Sequence, residues 1–306
     1  MEERERRLHV DTLRATPARL KAALKGVPKA LWLWTPAPGK WSILEIACHL
    51  RDMERDAYLA RYRRLLAEDD PTLPDVDGDV YALERDYRAH KPAEVLREWT
   101  RLRRDSLRLL AGVKAAQWSR RGTHETAGPL TVADLLRRHA VGNDEAHLTQ
   151  IEGIKRRHAV LERLSALPAR LARALRSFSG EAVRRPPRPG KWSALEIACH
   201  LRDIDRVYAE RVSKVAFSER PVFWVMDNDR VAESLAYRDA DPAAVVKEAR
   251  RRREDLASLL RALPARAWSR AGLHPRRGEL TIERLASDLA DHDDHHLKQI
   301  EALPRS

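Results

Sequence analysis

The chain is written twice. The segment PGKWSILEIACHLRD at residues 38–52 returns as PGKWSALEIACHLRD at 189–203, and only Ile43 against Ala194 differs. Matching positions stay 149–151 residues apart, from Ser42 and Ser193 in one part of the repeat to Asn143 and His292 in another. A unit of about 150 residues far exceeds the roughly 20–50 residues of a solenoid repeat and is long enough to bury its own core. The duplication therefore predicts two complete domains, residues 1–155 and 156–306, joined in GIKRRHAV near 153–160. No Gly/Ser-rich or Pro-rich linker stands there. The last helix of the first copy is expected to pass almost directly into the second.

Each copy reads as helices. Ala, Leu, Arg and Glu dominate, and Gly occurs only 12 times in 306 residues. The first copy predicts helices near 11–25, from Ser42 to about Glu68, near 92–112, and from about Val132 to beyond Gln150. Pro17 either opens or kinks the first of these. The second copy predicts equivalents near 168–178, 194–218, 242–262 and 282–302. Ser42 with Glu45, and Ser193 with Glu196, have the spacing of a capping box. GTHETAGPLT is read as a loop before the fourth helix. Four amphipathic helices per copy give an all-α class: two tandem four-helix bundles, whose natural metal and ligand sites lie between facing helices.

The copies differ where the chemistry would lie. The fourth helix of the second copy reads Leu285, Leu289, His292, His296, Ile300 along one face, at steps of 4, 3, 4 and 4. Residues at i and i+4 bring two imidazoles within reach of one ion. His200 lies between Ile197 and Ile204 at the edge of the second-helix seam and can face that pair. Three neutral imidazoles can bind Zn²⁺, Ni²⁺ or Fe²⁺ and leave a coordination position open, as catalytic sites do. Asp203, one turn after His200, is an expected acceptor for an imidazole N–H. The first copy has His49 and His147 but Asn143 in the third place, so a weak or empty site is expected there. Its Thr131–Asn143 interval is one residue longer than Thr281–His292, which a π-bulge or a shifted register would explain. His139 lies too far along an ideal helix to share an ion with His147.

Other residues take plainer roles. Cys48 and Cys199 read as small buried hydrophobes, and two cysteines exclude a disulfide scaffold. His124 and His274 are expected to fix turns, His295 to lie on the surface, and Trp41, Trp192, Trp118 and Trp268 to anchor the core. The net charge of +12 invites a nucleic-acid reading, but the arginines are dispersed among acids and read as solvated helix faces. No apolar run reaches a membrane span and no apolar leader opens the chain, so a cytoplasmic protein is expected.

Taken together, PGKWSxxEIxxHLxD, HDxxHLxQI at 292–300, and Trp268 followed by Gly272, His274, Gly278 and Leu280-Thr281 resemble the DinB/YfiT-like superfamily, specifically its DinB_2 branch. The resemblance spans essentially the whole chain, twice. It implies a four-helix bundle holding a divalent metal, often zinc or nickel, on His200, His292 and His296. It implies homodimers of single bundles, so a tandem chain would form its own pseudo-dimer, as a monomer or paired again. It also implies chemistry of the kind found in thiol-dependent S-transferases that use bacillithiol or mycothiol.

The expected activity is a thiol S-transfer or hydrolase-type reaction on a small electrophilic molecule at one metal site in the second copy, with a low-molecular-weight thiol as a possible partner. A non-catalytic metal-binding scaffold is the alternative. Nucleic-acid binding through the Arg-rich faces is a weaker one.

Overall fold

A computed structural model describes residues 1–305. The fold divides into two compact units, one of residues 1–35 and 39–155, the other of residues 36–38 and 156–306. Each unit is a four-helix bundle with a short β-hairpin.

In the first unit, helix Glu3–Leu24 runs through Pro17 without ending. Proline removes the N–H that would bond the carbonyl four residues earlier. That carbonyl, on Leu13, instead accepts a bond from Arg103 of helix Pro92–Ala111 at 3.2 Å. The second helix starts at Ile43, and Ser42 and Glu45 cap it reciprocally. It runs as Ile43–Asp52, then a π-helical stretch Met53–Leu59, then Ala60–Ala67. The fourth helix repeats this interruption: Val132–Arg137, π-helical Arg138–Glu145, then helix Ala146–Leu175, which carries the chain into the second unit. The second unit continues with Ala194–Phe217, Pro242–Ala262 and Ile282–Glu301, all unbroken.

The π-helices explain the drifting repeat interval. It is 151 at Ser42 and Ser193, 150 at Thr131 and Thr281, and 149 at Asn143 and His292. Each step of one falls across a π-helix of the first unit, because an inserted helical residue is absorbed as a wider turn. The one-residue excess before Asn143 is therefore a π-bulge and not a shifted start.

The segment expected as a loop is a hairpin instead: Arg121–His124 pairs antiparallel with Gly128–Thr131, and Ala271–His274 with Gly278–Thr281. The reason is local. Gly128 and Gly278 hold positive φ at the turn, and the Nδ1 atoms of His124 and His274 accept backbone N–H bonds across it. Fixing a turn was the role expected for those histidines.

Apolar side chains fill both interiors. Leu167, Leu171, Leu195, Leu201, Leu297 and Ile300 pack in the second unit, and Leu20, Ile43, Ile46, Trp99 and Ile151 in the first. Ser193→Ala removes the bond from Glu196 N to Ser193 Oγ at 3.2 Å and should destabilise the second unit by about 1 kcal/mol. Urea unfolding checks this, and an unchanged midpoint would count against the cap.

Candidate metal centre

The fourth helix of the second unit carries both a charged core and a candidate metal centre. Its buried face carries Leu285, Ala286, Leu289, Ala290, Asp293, Leu297 and Ile300. His292 and His296 stand beside that face, half-buried, not on it as the sequence pattern suggested. The reason is an arginine. Arg253, 1 % exposed, reaches from the third helix to Asp293 and to Asp205 of the second, at 2.6 Å in both cases. A buried guanidinium requires carboxylate partners, so the seam position goes to Asp293. The histidines take the shoulder, where a ligand can reach them.

There the three rings converge. His200 Nε2 lies 3.0 Å from His292 Nε2, and His296 Nε2 lies 3.1 Å from it. One ligand atom from each residue falls within 4.8 Å of the others. Imidazoles bound at 2.0–2.1 Å around a tetrahedral ion have nitrogens ~3.3 Å apart. His296 Nδ1 lies 2.7 Å from Gln299 Oε1, an oxygen that can only accept, so Nδ1 carries the hydrogen and the inward Nε2 a lone pair. One N–H on His292 Nε2 could satisfy one of its two neighbours and would leave the other facing it without a proton. A single cation satisfies all three, so the donor set fits a divalent metal.

Electrostatics favours the same state. Burial, then the neighbouring His296 and His200, pushes His292 down to about 3. Burial and His296 push His200 down to about 4, and burial lowers His296 as well. Neutral, ligating imidazole is thus the form at pH 7.

Asp203 does not play the expected part. Its carboxylate accepts from Tyr237 at 2.7 Å, Arg202 at 2.6 Å and Arg252 at 2.6 Å. Three strong donors hold it, and it acts on His200 only through its charge. The hydrogen-bond partner at the site is Gln299, on the fourth helix. Asp294 binds Arg163 and Arg170, and His295 is exposed. Cys48 and Cys199 are buried, each beside a tyrosine backbone carbonyl, with their thiols pushed up to about 12 and about 11 by burial. They behave as the small hydrophobes expected of them. Trp192 is half-buried, packs against the core of the second unit as expected, and also sets its ring 5.1 Å from His200, so it borders the site as well.

In the first unit the same place holds two imidazoles. His49 and His147 rings are 4.7 Å apart, Gln150 accepts from His147 Nδ1, and the Asn143 amide donates to Asp144 Oδ1 at 3.3 Å. The backbone at Gly78 closes on His49, where an added Cβ would lie 2.6 Å from Nδ1. His139 is drawn elsewhere. It points into the core, where Nε2 lies 2.9 Å from Glu54 and the ring stacks on Tyr58 at 3.9 Å. Arg103 pairs there with Glu54 and Asp144, as Arg253 does with Asp205 and Asp293. The sequence reading missed both arginine clusters. Their available signal was an arginine and an aspartate repeated in both copies at apolar-facing positions.

The clusters differ in that only the first contains a histidine. Against the cost of burial, His139 and Arg103 hold the Glu54 carboxyl well below its usual range. In the second unit no histidine assists. Burial pushes Asp205 up to about 7; it outweighs the pairing with Arg253, and Asp293 adds to the rise. A carboxyl raised on folding stabilises fully below its ordinary range, and that contribution disappears as pH rises through about 7. Asp205→Asn removes the titration. Its melting temperature relative to wild type should rise between pH 5 and pH 8. A constant difference would show that Asp205 does not change protonation in that range.

Fold and site together describe a helical-bundle protein with a three-histidine centre, and the chain belongs to the DinB superfamily (DinB_2), whose family model matches residues 12–151 and 163–300. The two matched segments establish the tandem duplication. Among its relatives, "Putative metal-dependent hydrolase YfiT" of Bacillus subtilis (strain 168) is 25% identical over 143 residues, 46% of this chain and 80% of that protein. The solved structure of YfiT from Bacillus subtilis, described as having an unusual four-helix bundle topology, aligns at a TM-score of 0.49 and 21% identity, over 52% of this chain and 90% of that one. No helix among the described residues is long and apolar enough to cross a membrane.

Proposed function

We propose that the protein is a metal-dependent enzyme of hydrolytic type with one working centre, in the second unit, acting on a small electrophilic molecule. The observation that carries this reading is the convergence of three Nε2 atoms, on His200, His292 and His296, where the first unit has two imidazoles and an amide. The name of the Bacillus subtilis relative, a metal-dependent hydrolase, agrees with it.

A divalent ion there would be Zn²⁺, Ni²⁺ or Fe²⁺ by its nitrogen donors, and would supply a Lewis acid that activates water or a small thiol and polarises the electrophile. The chain's own residues do the rest. Gln299 fixes the tautomer and orientation of His296. Burial keeps all three imidazoles neutral. The Trp192 ring lies 5.1 Å from His200 and walls one side of it. Three protein ligands leave a position for the nucleophile or substrate.

The test has two stages. Purified protein is loaded with each ion, freed of excess and analysed for metal. The loaded protein is then assayed on ester, amide and electrophile panels with and without low-molecular-weight thiols. The expected result is about one ion per chain and turnover that depends on it. Strict thiol dependence would assign the S-transferase form of the same centre. A loaded protein inert in every assay would favour a binding scaffold, and absence of metal would overturn the reading.

A further inference from the structure

Beside His296 the second unit opens a cavity of about 540 Å³, within the roughly 300–1,000 Å³ of small-molecule sites. One part of its wall is apolar: the half-buried Trp192 ring, Ile197 and Leu303. Another part is cationic, from Arg188 and Lys191, with Asp229 as the one carboxylate.

We propose that this cavity binds a small molecule built of an apolar body and an anionic group, the body against Trp192, Ile197 and Leu303 and the anion on Arg188 and Lys191. Its role as substrate rests on the metal-centre reading; its binding does not. Two observations support the class of ligand. First, neither Arg188 nor Lys191 forms an ion pair among the described residues, whereas nearby Arg238 and Arg184 pair with Glu196 and Glu181. Two cations against one carboxylate leave the wall net positive. Second, the two copies differ here in step with the histidines. Lys191 has Lys40 as its counterpart, but Arg188 stands where the first copy has Ala37. The copy with the third histidine is also the copy with the second cation. His296 lines the same cavity, so a molecule anchored by its anion would lie beside that imidazole.

The probes are 3-phenylpropionate and its neutral amide, which share a shape and differ in charge. Calorimetric titration compares them on the wild-type protein, Arg188→Ala, Arg188→Ala/Lys191→Ala and His292→Ala. Arg188 is exposed and alanine fills its counterpart position, so the single variant should fold. The wild type should bind the carboxylate at least about tenfold tighter than the amide, the scale of a charge-assisted pair. Arg188→Ala should lose most of that preference, the double variant should lose all of it, and His292→Ala should keep it. Equal binding of the two probes, or no carboxylate binding at millimolar concentration, overturns the proposal. A preference that survives in the double variant, or vanishes in His292→Ala, also overturns it, because the anion would then lie elsewhere or on the metal. A protein that holds no metal yet keeps the Arg188-dependent preference would sustain this inference while the metal-centre reading fails.

Discussion

His292→Ala is expected to abolish stable metal binding. Loss of a group that merely orients a ligand costs roughly 10–100-fold in affinity. His292 is the middle nitrogen of the three, at 3.0 and 3.1 Å from the others, so its removal should exceed that range. Chelator competition and elemental analysis would show about one ion per wild-type chain and none in the variant. The duplication supplies the reverse experiment. Asn143→His places a third imidazole beside His49 and His147 and should raise the metal content towards two ions per chain. A variant of His292 that keeps its ion at wild-type affinity would remove the three-histidine centre from consideration.

Arg103→Ala should have the largest effect on stability. Arg103 is 1 % exposed and pairs with two buried carboxylates, Glu54 at 2.7 Å and Asp144 at 2.6 Å, besides holding the carbonyl that Pro17 leaves free. Removing one partner of a buried ion pair typically costs about 3–5 kcal/mol, since the charge left behind has neither water nor a counterion. For a unit of about 150 residues that corresponds to a fall of roughly 6–20 °C in melting temperature. Differential scanning calorimetry measures it, and a shift under about 2 °C would mean that Glu54 and Asp144 find other compensation.

Much of the architecture was legible in the residues because it depends on local physics. Capping boxes at Ser42 and Ser193 act over three residues and formed as the spacing required. Pro92 and Pro242 open their helices, where a missing N–H costs least. The extra residue before Asn143 could be counted, but its partner excess between Asp52 and Pro71 passed unnoticed. Both became π-helices. The hairpins escaped because GTHETAGPLT is dense in turn formers, and four-residue strands have too few positions to show alternation.

The site was legible in its residue types but less so in its surroundings. His200, His292 and His296 were found from spacing alone and do converge. The sequence placed His292 and His296 on the central seam, whereas Asp293 takes it. Adjacent helical residues differ by about 100° in direction, and which one faces the centre depends on the partner across the bundle. An aspartate does not look like a core residue until Arg253 is known to lie opposite it. Asp203 was assigned to the histidines for the same reason: proximity in sequence said nothing of Tyr237 and Arg252, which hold it.

The sequence by itself determined two bundles, their helices and the copy with the complete histidine set, because periodicity, caps and duplication are properties of neighbouring residues or of whole-chain comparison. Only the tertiary structure decided that the three Nε2 atoms meet at one point, that His139 turns away to Glu54, and that Arg188 and Lys191 flank a cavity beside His296. Those outcomes rest on contacts between helices far apart in sequence. Burial there sets the worth of each charge, and no local pattern records which charges will be buried together.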